Sequence, residues 1–153
     1  MRKKEKILIE QLDEKLNNFK PAQSLTVPPR GWIHAIRTAL NMTIEQLGKK
    51  LNITRQGVKN IEVSESKGSI SLNSLEDVAN AMDLKLVYGF VPKHGSLNHL
   101  IAAKSQKLAK KIVLRTNQNM VLENQGIESD KINRSIQELA EELKHEMKKS
   151  LWD

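Results

Sequence analysis

Arg55, Gln56, Lys59 and Asn60 crowd into the stretch Thr54-Arg55-Gln56-Gly57-Val58-Lys59-Asn60-Ile61-Glu62. Arginine and lysine donate to the O6 and N7 acceptors of guanine. Glutamine and asparagine match the donor and acceptor of adenine, and arginine, glutamine and asparagine can do so with two bonds at once. Four such side chains at the exposed start of one helix suit the reading of base edges in a major groove. A helix start also points backbone amides at phosphate.

Other chemistries find little support. His34, His94, His99 and His145 are scattered, and no carboxylate lies between or around His94 and His99, so no metal site is expected. No glycine-rich phosphate loop ends in Lys-Ser or Lys-Thr. Glu141, Glu142 and Glu146 occupy a charged helix with no nucleophile nearby. The chain has no cysteine, which excludes disulfides, thiolate nucleophiles and cysteine zinc sites. The expectation is a protein that is not an enzyme and carries no cofactor and no metal.

The charge points to a polyanion. The formal net charge is +7 and the sequence pI about 9.6. Residues 93–121 carry Lys93, Lys104, Lys107, Lys110, Lys111 and Arg115 with no acid, whereas residues 122–153 carry eight acids against five bases. The basic run has two readings: a second phosphate contact, or a solvated face matched to the acidic helix that follows. No signal peptide and no transmembrane helix are expected, since Ile7-Leu8-Ile9 is broken at once by Glu10 and Gln11. A cytoplasmic location is the expectation.

The elements that must position the reading residues follow from periodicity. Ile9, Leu12, Leu16 and Phe19 share one face of an amphipathic helix over 3–19. Pro21, Pro28 and Pro29 bound an extended linker. Four helices are predicted at about 31–40, 44–51, 55–64 and 72–83. Thr43 caps the second, Thr54 the third, and Ser71 or Asn73 the fourth. Asn41 and Asn52 stand where a left-handed residue closes a helix. Ile36, Leu40, Leu47, Leu51, Val58 and Ile61 supply the inner sides, and Gly48 lets two helices approach. Trp32 is expected to anchor the first of these helices in the core. Two further helices are predicted over 96–121 and 129–150, one striped by Leu97, Ile101, Leu108 and Ile112, the other by Ile132, Ile136, Leu139, Leu143 and Met147. The break between them spans Asn124 to Ser129, includes Gly126, and offers Ser129 as a cap. Trp152 has two open placements, on a partner subunit or in solvent.

Leu84-Lys85-Leu86-Val87-Tyr88-Gly89-Phe90-Val91, closed by Pro92, reads as a short strand. A lone strand leaves its backbone groups unpaired, so Leu86, Val87, Tyr88 and Phe90 are expected to pair with the same strand of a second subunit.

The run Thr43-Ile44-Glu45-Gln46-Leu47-Gly48-Lys49-Lys50-Leu51-Asn52-Ile53-Thr54-Arg55-Gln56-Gly57-Val58-Lys59-Asn60-Ile61-Glu62 resembles the Cro-type (xenobiotic-response-element) repressor domain, and Ser74 to Met82 looks like its last core helix. The string from Pro29-Arg30-Gly31-Trp32 through Gly68-Ser69-Ile70-Ser71-Leu72 to Val91-Pro92-Lys93 resembles, more narrowly, the mobile mystery protein A family, whose members are usually encoded beside a Fic-domain protein. The resemblance implies that Arg55, Gln56, Lys59 and Asn60, with Thr54 before them, meet bases and phosphates. It implies that Thr43 and Lys67 meet the DNA backbone and that Arg37 and Glu62 form an internal salt bridge. The sequence departs from the pattern at three places. Ile44 replaces a phosphate-binding Gln, Asn52 the usual turn Gly, and Ser64 the Gly that usually follows the recognition helix.

The expected fold is therefore all-α: a lambda-repressor-like helix-turn-helix domain with one short β-strand for dimerisation and flanking N- and C-terminal helices. Its expected segments are an N-terminal helix 1–20, a linker 21–30, the DNA-binding domain with its strand 31–92, and a helical region 93–153. The expected function is sequence-specific binding of double-stranded DNA as a homodimer on an inverted repeat, with autorepression of a two-gene toxin-antitoxin-like operon. The alternative is an antitoxin that neutralises a neighbouring Fic-domain enzyme through its tail helices.

Overall fold

A computed structural model describes residues 3–122 and 129–153. Among these residues every regular element is a helix, with no strand: α1 (Lys3–Asn17), α2 (Trp32–Ala39), α3 (Ile44–Leu51), α4 (Arg55–Lys67), α5 (Leu72–Ala81), α6 (Leu97–Leu122) and α7 (Ser129–Glu146). Short 3₁₀ turns cover Lys20–Ser24 and Lys149–Trp152. The chain forms two compact units, residues 24–88 and residues 1–23 joined with 89–153.

The central unit packs four short helices around Ile33, Leu47, Val58, Val78 and Met82, with Ile36, Met42, Ile44, Leu51, Ile61, Ile70 and Leu75 closing over them. Each helix is stopped the same way. Asn41, Asn52, Gly68 and Asp83 adopt left-handed backbone with φ of 54°, 56°, 74° and 57°. The amide of the following residue then reaches back to an orphan carbonyl: Met42 to Arg37, Ile53 to Gly48, Ser69 to Ser64 and Leu84 to Ala79. This is the six-to-one closure that satisfies a helix C-terminus. At the other ends Thr43 and Gln46 form a reciprocal capping box, Thr54 Oγ1 accepts from the Gly57 amide, and Ser71 Oγ accepts from the Ser74 amide.

Several expectations need correction here. The recognition helix does not stop at Ser64 but runs to Lys67, because Ser64 lacks the conformational freedom of the glycine it replaces and the stop passes to Gly68. Leu40 is exposed, since α2 ends at Ala39 and Leu40 already lies in the closing turn. Trp32 is 43% exposed, and the anchor of α2 is its neighbour Ile33. No strand forms over 84–91: in a single chain whose described elements are all helices, the segment has no edge to pair with. Val87, Tyr88 and Phe90 lie more than two-thirds exposed and Leu86 is half-buried.

The second unit joins the two ends of the chain. Here α6 and α7 pack around Ile101, Ala109, Ile136, Ala140, Leu143 and Leu151, and Ile9 of α1 lies against them. The inner stripe of α6 is Ile101, Ser105, Leu108, Ala109 and Val113, whereas Ile112 is 42% exposed. Small residues at 105 and 109 let the helices approach, and small side chains carry little weight in a hydrophobic stripe. The expected break at Asn124 and Gly126 lies outside the described residues, and Ser129 is the first residue of α7. Trp152 is half-exposed while Leu151 enters the core. Lys107, Lys110, Lys111 and Arg115 form a solvated face, and no ion pair joins them to α7 among the described residues.

A carboxylate fixes α1 to the start of α6. Asp13 accepts from the amides of Leu97 at 2.6 Å and Asn98 at 3.1 Å, while Ser96 Oγ accepts from His99. Three of the first-turn amides are thus satisfied, two of them by a residue far away in sequence. A capping residue contributes about 1 kcal/mol. Asp13→Ala should lower the stability of this unit by about that amount, and Asp13→Asn by less, measured by chemical denaturation. Equal stability of Asp13→Ala and the native chain would show that the cap is idle.

Candidate nucleic-acid interface

A three-residue turn joins α3 to α4. Asn52 turns the backbone left-handed, Ile53 donates back to Gly48 at 2.9 Å, and Thr54 opens the next helix. A Cβ on Gly48 would lie 2.9 Å from the Ile53 carbonyl oxygen and 3.4 Å from Val58. Only glycine lets α3 approach the turn this closely.

Behind α4 lies a buried polar cluster. Arg37 of α2 donates through Nε and Nη2 to the two carboxylate oxygens of Glu62, and its Nη1 donates to the Met42 carbonyl at 3.0 Å. His34 Nδ1 stands 3.3 Å from Glu62 Oε2. Burial pushes the Glu62 carboxyl up, but hydrogen bonds to Arg37 and His34 and their charges outweigh it, so the group is held below its ordinary value of 4.5. One turn further on, Glu65 accepts from the amides of Trp32 at 3.0 Å and Ile33 at 2.8 Å. It caps α2 from outside. Gly31, at φ 89°, gives the carboxylate room, since a Cβ there would sit 2.6 Å from Glu65 Oε1. The role of Glu65 escaped sequence reasoning. The signal was present: α2 has no Ser, Thr, Asp or Asn before it, and Glu65 follows Glu62 by one helical turn.

The outer face of α4 carries the four polar side chains that the sequence singles out. Arg55, Gln56, Lys59 and Asn60 are all exposed. Gln56 Nε2 donates to Asn60 Oδ1 at 3.0 Å, which leaves the Gln56 carbonyl and the Asn60 amide nitrogen to present one acceptor and one donor side by side. Arg55 Nη1 pairs with Glu45 of α3 at 2.9 Å; both side chains are more than half exposed. Such a pair holds by no more than about 1 kcal/mol, so a nucleic acid can take Arg55 at little cost. Thr43 and Thr54 stand exposed at the starts of α3 and α4, and Lys67 at the end of α4. The seven therefore lie along one bihelical unit, whereas Leu86, Val87, Tyr88 and Phe90 lie on the extended segment beyond α5.

Residues 33–88 match the model of a helix-turn-helix family, one of DNA-binding proteins of the xenobiotic-response-element type. No curated protein and no solved structure matches the chain. The stretch matched runs from Ile33, the second residue of α2, through α5 and the extended segment up to Tyr88.

Because the Glu62 value is lower folded than unfolded, its stabilisation is fully present above pH 4.5 and is lost as pH falls through the folded value. Glu62→Gln should be less stable than the native chain near neutrality, and the difference should shrink below about pH 4.5. Urea titrations across pH measure this. A difference that stays constant down to about pH 3 would mean that the carboxylate charge is irrelevant.

Proposed function

We propose that this protein is a sequence-specific DNA-binding transcription regulator that uses the start of α4 as its reading element. The observation that carries this reading is the exposed set Arg55, Gln56, Lys59 and Asn60, presented by a helix-turn-helix that matches a DNA-binding family. Thr43, Thr54 and Lys67 act as flanking contacts to phosphate, which position the helix without reading sequence. The net charge of +7 favours the same partner. Replacing Arg55 or Gln56 by Ala should lower affinity for the operator by roughly 1–3 kcal/mol each and relax base preference at one position per half-site. Mobility shifts with the upstream DNA of the gene and with scrambled duplexes test this. Wild-type binding by both variants would remove α4 as the reader.

The regulator acts as a homodimer on an inverted repeat. Val87, Tyr88 and Phe90 expose apolar and aromatic surface on an extended segment whose backbone can pair with its own copy across a two-fold axis. The axis sets the separation of two α4 helices near one turn of DNA, about 34–36 Å, or a multiple of it. Val87→Pro removes a pairing amide and should give a folded monomer in sedimentation, with helical circular dichroism unchanged. A folded dimer that still protects both half-sites would place the interface elsewhere.

The narrower resemblance to the mobile mystery protein A family supports autorepression of a two-gene, toxin-antitoxin-like operon in the cytoplasm. A second reading is favoured by the unit of α1, α6 and α7, which reading DNA does not require. In this reading that unit grips and neutralises a neighbouring Fic-domain enzyme. The two activities are compatible in one chain.

A further inference from the structure

Between α2 and α4 opens a cleft of about 370 Å³, lined among others by Arg30, His34, Arg37, Lys59 and Glu62. Its charges are unequally occupied. Glu62 is spent on Arg37 and His34, and Glu65, the other acid of α4, is spent on the amides of Trp32 and Ile33. Arg30 and Lys59 have no hydrogen-bond or ion-pair partner among the described residues, and both are exposed at the cleft. Two cations facing one cleft repel each other, and an anion seated between them removes that repulsion.

Arg30 is held there by a stiff piece of chain. The Gly31 amide donates to the Pro28 carbonyl at 2.9 Å, closing a turn over Pro28-Pro29-Arg30-Gly31. Proline at the second position favours this turn, so the backbone of Arg30 is ordered before any partner arrives. Lys59 lies one helical turn beyond Arg55 on the same face of α4, about 6 Å along the axis. A major groove is about 12 Å wide. Lys59 also borders the cleft beside Arg30 and His34, so it faces the start of α2 as well as the groove, whose walls carry the phosphates.

We propose that this cleft is a phosphate seat, in which Arg30 and Lys59 clasp one backbone phosphodiester of the duplex that α4 reads. Arg37 stays paired to Glu62 and sets the back wall. The seat rests on the reading of α4 as a DNA-binding helix; within that set it assigns Lys59 to phosphate and leaves base edges to Arg55, Gln56 and Asn60, and it adds Arg30, which lies outside the helix-turn-helix, to the contacts. Arginine suits the place because its planar fork can donate twice to one phosphate.

The test uses the full chain and the duplex upstream of its gene, with binding measured over a range of salt. Arg30→Ala should weaken operator and scrambled duplex alike, by roughly three- to tenfold, and flatten the salt slope by about one unit per chain bound. Arg30→Lys should keep the slope, and Arg55→Ala should lose base preference with Arg30 intact. Thermal unfolding of each variant checks the fold. Unchanged affinity and slope in Arg30→Ala, with Arg55→Ala still impaired, overturns the seat and leaves α4 as the reader. A slope lost equally in Arg30→Lys also overturns it. Absence of any duplex binding by the native chain removes both ideas together. Inorganic phosphate separates the other source of the same chemistry: tight saturable binding of free phosphate, with duplex binding untouched by Arg30→Ala, would assign the cleft to a small ligand and overturn the proposal.

Discussion

The buried pair Arg37–Glu62 fixes the angle at which α4 leaves the domain. The four short helices of the central unit need more than apolar packing to hold α4 in one orientation, because a greasy core tolerates small rotations of a helix about its axis. Two parallel donor bonds from a planar guanidinium do not. Arg37 also reaches the Met42 carbonyl in the turn after α2, so one side chain ties α2, that turn and α4 together. It is a poor source of net stability. Taking two charges out of water costs nearly what their attraction returns, and an apolar pair of the same volume can be as stable. What such a pair supplies here is a unique orientation, and removing one partner leaves a buried charge that costs about 3–5 kcal/mol. Glu65 repeats the logic one turn later with backbone amides in place of a cation.

Much of this was legible in the sequence. Helix stops at Asn41 and Asn52 follow from the tolerance of asparagine for left-handed backbone, and the caps at Thr43 and Thr54 follow from the unsatisfied amides of a helix start. Those local rules need only neighbours in the chain. Leu47 and Val58 fall on the inner faces by simple periodicity, and they are buried.

The rest depends on partners distant in sequence. Nothing local to Asp13 says that it caps a helix starting at Leu97, and nothing local to Glu65 says that α2 borrows its cap. Trp32 is large yet 43% exposed: it stands at the first position of α2, where Glu65 binds its backbone, and the buried side of the helix is taken by Ile33 and Arg37. The segment 84–91 has the composition of a strand, yet composition cannot supply an edge. Ser105 and Ala109 show the converse, since these two most deeply buried positions of α6 are held by residues too small to register as a stripe.

The terminal unit carries its own basic face on α6, so charge alone does not say which surface meets DNA. The most direct discriminator is the backbone amide spectrum of the full chain as the upstream duplex is added. The account predicts the largest changes at residues 30, 43–46 and 54–60, with α6 and α7 little altered. Changes confined to Lys104–Arg115, with the start of α4 unmoved, would contradict it and make the helix-turn-helix a bystander.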